Sequence, residues 1–333
     1  DPRSSVEYDA AEAADIAVRV AQTGSDGKLL ALADDSIYRV SLVEKLLVPA
    51  LVKIGNFVPA GGIWMNTQRP EWNDANNALV GYGLSMVTLC YLRRYLALLV
   101  DLLEEHGSSS YTLSGELADF LDGLDRALGR HRAMREGDVT AAARKAFMDE
   151  LGALGEAYRT SVYAGFSGQK ERVSKSGVLA FIRMTLEYLD HSIARSRRPD
   201  GLYHTYRLVH FAADGHAVED LGEMLEGQVA VLNSGCLGTA ESLALLAALR
   251  ASQLYRSDQD SYMLYPERKL PRFLDKNLIA PELVADNPWM QAELASGRSR
   301  YLVRDVNGAA HFRPQFRNAA QLQTALRADP AVT

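Results

Sequence analysis

One stretch of this 333-residue chain concentrates side chains capable of chemistry. It reads Gly61-Gly-Ile-Trp-Met-Asn-Thr-Gln-Arg-Pro-Glu-Trp-Asn-Asp-Ala-Asn-Asn77 and holds two tryptophans, two carboxylates, one arginine and five side-chain amides. Sugar rings offer apolar faces that stack on indoles, and hydroxyl edges that pair with amides, carboxylates and guanidinium groups. Trp64 and Trp72 would supply the stacking, and Arg69, Asn73, Asn76 and Asn77 the hydroxyl partners. Asp74 is the first candidate for a general acid, and Glu71 is the second. The plain structural alternative is that Asp74 caps the following helix while Asn76 and Asn77 satisfy loop backbone. Capping needs one such residue and no tryptophan.

Cleaving a glycosidic bond hydrolytically takes a second carboxylate, as base or nucleophile, opposite the acid. The segment Asp214–Gly235 is its best source, because Glu219, Glu223 and Glu226 lie three or four apart and so share roughly one face of the helix expected there. Glu226 precedes Gly227, Gln228 and an apolar Val-Ala-Val-Leu run, a neighbourhood that favours a raised carboxyl pKa. Glu226 is therefore the candidate base, with Gln228 and Asn233 as sugar-hydroxyl partners; Glu219 and Glu223 read as solvent-facing. Tyr203, His204 and Tyr206 would form a polar aromatic wall, His204 binding a hydroxyl or shuttling a proton, although a His among tyrosines is more often a satisfied structural residue. Arg268 and Arg272, between Pro266 and Pro271, could pair with carboxylate or phosphate, but a surface turn explains them as well.

Trp72-Asn73-Asp74 followed by Asn76 resembles the Gly-Asp-Trp-Asn-Asp-Gly-Met-Asn loop of cellobiose-phosphorylase-like enzymes. That family folds as a six-hairpin α/α toroid and uses the second Asp of the motif as general acid, a role the resemblance assigns to Asp74. The likeness covers about ten residues, and the sequence departs from it where Pro70-Glu71 replaces Gly-Asp and Ala75 replaces Gly. The resemblance implies a glycosidase, inverting like most toroids of this type. Two alternatives stand beside it: a disaccharide phosphorylase, in which phosphate takes the place of the base, and a non-catalytic helical domain that binds carbohydrate or a protein. For an inverting hydrolase the carboxyl groups of Asp74 and Glu226 should lie about 6.5–9.5 Å apart.

Other chemistries lack their signatures. There is no phosphate-binding loop ending in Lys-Ser or Lys-Thr, no His-Glu-x-x-His zinc helix, no calcium loop and no Gly-x-Ser-x-Gly elbow, so the expectation is no metal and no cofactor. A net charge of −6 gives no basic surface for nucleic acid, and the Arg195–Arg198 run reads as a solvated helix end. No apolar run of about 18 residues spans a bilayer. Cys90 and Cys236 have no ligand spacing, and two thiols make no disulfide framework, which favours a reducing, cytoplasmic setting. The expected partner is a carbohydrate substrate, with a further N-terminal region or a homo-oligomer as additions.

The positioning elements read as helices. Apolar residues recur at three- and four-residue intervals over 6–21, 41–54, 76–105, 113–133, 139–163, 177–194, 217–232 and 239–254, with Pro49 expected to kink or break the second. A strand or ordered loop is expected over 201–211, a hairpin turning at Asn307-Gly308, and a short last helix over 318–325. Long connections over 55–73 and 195–215 suit a toroid better than a bundle. The expectation is therefore an all-α, (α/α)6 toroid-like barrel, complete or truncated, with a small β-hairpin. With no Pro-, Gly- or Ser-rich linker, 1–333 reads as a single catalytic domain, standing alone or as the C-terminal part of a longer enzyme.

Overall fold

The computed structural model describes residues 8–30, 32, 36–66, 78–105, 107–267, 277–297, 300–330 and 332. The chain divides into two compact units, 1–266 and 267–333, each with its own apolar core, where the missing linker had favoured one domain.

In the first unit the helices are α1 (Ala10–Thr23), α2 (Leu42–Ile54), α3 (Met86–Glu105), α4 (Gly115–Arg130), α5 (Ala141–Ala164), α6 (Lys175–Arg195), α7 (Leu225–Asn233) and α8 (Thr239–Ala251). Their starts follow capping chemistry: the side chains of Asp9, Ser41, Thr140 and Ser174 each accept a backbone N–H from the first turn of α1, α2, α5 and α6. Pro49 sits inside α2 without ending it. The buried face of α3 carries Met86, Leu89, Cys90, Leu92, Leu96, Leu99 and Leu103, the stripe a packed helix needs. It packs on α6 and α7, and α4 packs on α5.

The all-α expectation is wrong. Among the described residues the first unit contains a five-stranded antiparallel sheet ordered β1 (Phe57–Val58), β2 (Gly62–Trp64), β3 (Gly83–Ser85), β6 (Tyr206–Ala212) and β7 (Gly215–Asp220). Further antiparallel pairs join β4 (Ser110–Ser114) to β5 (Lys170–Ser174) and β8 (Tyr255–Arg256) to β9 (Ser261–Tyr262). The sheet consumes two segments expected to be helical. Gly83–Ser85 precedes α3 as a strand, because its backbone pairs with both Ile63-Trp64 and Tyr206–Leu208. Gly215–Asp220 pairs with β6, so the expected helix over 217–232 shortens to α7. For Gly83–Ser85 long-range pairing decides between the two periods, whereas Gly215–Asp220 is set by the two-residue Ala213-Asp214 turn that folds it back on β6.

The second unit has a three-stranded antiparallel sheet in the order β10 (Leu278–Ile279), β12 (Ala310–Phe312), β11 (Leu302–Arg304). With it go α9 (Pro281–Ala285), α10 (Pro288–Ala295) and α11 (Ala319–Arg327). Gly308 takes a positive φ of 82° in the β11–β12 connection, so the expected hairpin forms where the Asn-Gly pair indicated. Tyr301, Leu302 and Ile279 center its core, and the Tyr301 hydroxyl donates to Asp329 (2.8 Å).

Candidate functional site

The sheet of the first unit has two faces, and strand register sorts the candidate residues between them. Trp64, Leu84 and Arg207 lie opposite one another across β2, β3 and β6, so they share one face; Ile63, Ser85 and Tyr206 share the other. The tryptophan–amide–carboxylate loop falls between β2, which ends at Trp64, and β3, which begins at Gly83. Its described flanks are tied together: the Met65 N–H donates to the Gly83 carbonyl (2.8 Å), the Gly81 N–H to the Met65 carbonyl (2.7 Å), and the Trp64 indole N–H to the Gly81 carbonyl (3.1 Å). Arg69, Glu71, Trp72, Asn73, Asp74, Asn76 and Asn77 lie outside the described residues.

On the Tyr206 face, the strand and the start of α7 are locked together. The Tyr206 hydroxyl donates to Glu226 Oε2 (2.9 Å), and Glu226, half-buried, sits in the first turn of α7, where the helix dipole favours a carboxylate. Thr205 Oγ1 accepts from the Gly227 N–H (3.1 Å) and donates to the Met224 carbonyl (3.2 Å). A Cβ at position 227 would lie 2.2 Å from that oxygen, so the close approach requires glycine. Gln228 is fully buried, its Oε1 accepting from the Tyr203 N–H (2.8 Å) and its Nε2 donating to the Tyr203 (2.8 Å) and Met224 (2.9 Å) carbonyls. Its amide is spent on backbone. The buried Tyr203 belongs to the main core.

The remaining candidates do not converge there. Glu219 is on β7 with His210 (2.6 Å), and Glu223 precedes α7 beside Arg198 (3.2 Å), so the three glutamates share no helical face. Asn233 is exposed at the far end of α7, two turns or roughly 10 Å along the axis from Glu226. His204 Nε2 lies 3.3 Å from Asp220, and its Nδ1 is 3.3 Å from the Leu221 carbonyl. Burial holds the imidazole below its ordinary value, and the Asp220 charge only partly offsets this. Sequence reading missed the polar groups around them. Arg207 pairs through Nε with Asp220 (2.6 Å) and donates to the Ala60 (2.8 Å) and Arg195 (3.2 Å) carbonyls. Arg144 donates to the Pro59 (3.1 Å), His216 (2.7 Å) and Val139 (3.3 Å) carbonyls. Their polar cavity of about 240 Å³ is lined by guanidinium groups already committed to carbonyls and carboxylates. No local sequence pattern announces the Arg207–Asp220 pair or the Arg144–His216 bond, since both depend on where β7 lies.

On the Trp64 face, between the sheet and α5, is a cavity of about 280 Å³ lined by aromatic, amide and charged side chains. Trp64 packs edge-on against Phe211 there, and Asn66 Nδ2 donates to Asn56 Oδ1 (2.8 Å). Trp64 is thus the one described candidate that lines a cavity of ligand size.

Residues 270–331 match the family model described as GH149 phosphorylase insertion domain 2, a span almost coextensive with the second unit and leaving 1–269 outside the match. No curated protein matches the chain. The chain thus carries a segment similar to a domain of a glycoside-phosphorylase-related family.

Proposed function

We propose that this chain belongs to a glycoside phosphorylase, with Asp74 as the general acid of a phosphorolytic cleavage. The observation that carries the reading is the coincidence, in one chain, of the Trp72-Asn73-Asp74 loop and the phosphorylase insertion domain match over 270–331. Two regions distant in sequence support one enzyme class.

In the reaction, an oxygen of inorganic phosphate attacks the anomeric carbon as the glycosidic C–O bond breaks. Asp74 delivers its proton to the departing oxygen, giving a sugar 1-phosphate and a free hydroxyl on the shortened acceptor. A single displacement inverts the anomeric centre and needs no enzyme carboxylate as base. Trp72 stacks on a sugar ring, while Arg69, Asn73, Asn76 and Asn77 take hydroxyl groups. Incubating oligosaccharides with and without inorganic phosphate should give sugar 1-phosphate only in its presence. Asp74→Asn should lower that rate by about 10²–10⁴-fold. Equal product without phosphate would defeat this reading in favour of hydrolysis.

Hydrolysis is the second reading, and the half-buried Glu226, held by Tyr206 and, among the described residues, outside the pairs that occupy Glu219 and Glu223, favours it. It requires Glu226→Gln to abolish phosphate-independent cleavage; under phosphorolysis that substitution leaves the chemical step intact.

A further inference from the structure

Helix α5 contains a costly feature without a packing explanation. Gly152 and Gly155 lie in its interior, where each glycine costs about 1 kcal/mol relative to alanine. A Cβ at either position would meet nothing within 4 Å, so no neighbour requires its absence. Both line the cavity on the Trp64 face. Met148, Gly152, Gly155, Glu156 and Arg159 recur at helical spacing and form one wall. Tyr158 of the same helix stacks at 4.8 Å on Phe120 at one end, and Trp64 with the Asn56–Asn66 amide pair completes the lining. Glu156 and Arg159 are exposed and form no hydrogen bond or ion pair with any described residue.

We propose that this cleft is a second carbohydrate-binding site, distinct from the Tyr206–Glu226 face, which takes one sugar ring. Its chemistry is that of sugar recognition: an indole fixed by its own N–H bond to Gly81, and a carboxylate and guanidinium, without described partners, that can each engage two hydroxyls; the Asn56–Asn66 pair, whose Asn56 Nδ2 also donates to the Val52 carbonyl (3.0 Å), is a wall of the cleft. The glycines widen the cleft along the helix so that a flat ring can lie against backbone. Lying on the opposite sheet face from Tyr206, it would hold a carbohydrate chain without using those residues. The choice of carbohydrate as ligand also rests on the phosphorylase reading.

The test is titration of the full chain with glucose, maltose, cellobiose and gentiobiose, read by calorimetry and by shifts of the Gly152 and Gly155 amide resonances. At least one sugar should bind and move both resonances. Gly155→Leu, which fills the cleft from an unobstructed position, should weaken this binding by at least about tenfold without lowering Tm, and so should the double variant Glu156→Ala, Arg159→Ala. Asp74→Asn should bind as the unaltered chain does, so loss of turnover and loss of cleft binding are separable. Failure of all four sugars to move the two resonances overturns the proposal, and so does affinity unchanged in Gly155→Leu.

Discussion

The two faces of the five-stranded sheet use similar residues in opposite ways. On the Tyr206 face, amides, hydroxyls and a glycine are consumed in joining β6 to α7: Gln228 replaces backbone pairing for Tyr203, Thr205 bonds on both sides of Gly227, and Tyr206 holds Glu226. On the Trp64 face, two glycines sit against empty space and two charged side chains stand without described partners. Residue type alone does not separate binding groups from building groups. What separates them is whether hydrogen-bonding capacity and glycine freedom are already used.

This contrast predicts that substitutions on the first face cost stability. Gln228→Leu has the largest expected effect. It keeps the volume roughly constant but leaves the buried Tyr203 N–H and carbonyl without their partner, while the Met224 carbonyl keeps only the Thr205 hydroxyl. At about 1–3 kcal/mol per orphaned group, not fully additive, the loss should reach about 3 kcal/mol in urea unfolding. A loss below about 0.5 kcal/mol would mean that Gln228 is not the structural link described here. Gly227→Ala should cost about 1–3 kcal/mol, because its Cβ meets both Thr205 Oγ1 and the Thr205 Cα at 3.0 Å, and rotating the hydroxyl relieves only one contact.

A smaller effect should appear as pH dependence. Burial lowers the His204 pKa in the folded chain below its ordinary 6.5, so the unfolded chain binds the proton more readily. Stability is then fully present above about pH 6.5 and falls as pH drops through that value toward the folded pKa. His131 is lowered by burial and by Arg130 and adds in the same direction. Urea midpoints measured across this window should fall with acidification, and His204→Gln should flatten part of the slope. A midpoint that rises on acidification would reverse the sign assigned to both imidazoles.

Much of the helical part of the fold was legible in the sequence, because its signals are local. Ser41, Thr140 and Ser174 cap helices beside apolar stripes, and Asn307-Gly308 marks its hairpin. The sheet was not legible. Gly83–Ser85 is too short to show a period and becomes a strand only because β6, more than a hundred positions away, lies alongside; Gly215–Asp220 turns back on β6 after Ala213-Asp214, a local hairpin that the helical spacing of its glutamates hid. The same blindness affected the site. Glu219, Glu223 and Glu226 matched helical spacing, but the β7 strand and the turn before α7 send them to separate partners. Gln228 looked like a sugar ligand because an amide's type does not reveal what it already holds. The Gly152 and Gly155 pair was a usable signal: two glycines inside an otherwise good helix ask for a reason, and periodicity alone passes over them.

The smallest expected effect is the most specific test of the contrast. If the α5 glycines are retained for cleft space, Gly152→Ala should stabilise the chain by about 0.5–1 kcal/mol through helix propensity and the reduced entropy of the unfolded state, since its methyl meets no atom within 4 Å. The same exchange at position 227 destabilises, so one substitution type has opposite signs on the two sheet faces. A single methyl protrudes too little to close a cavity of about 280 Å³, so sugar binding should survive Gly152→Ala while Gly155→Leu weakens it at least about tenfold. Destabilisation by Gly152→Ala would show that the helix needs glycine for packing after all, and the cleft would lose the argument that sets it apart from the Tyr206 face.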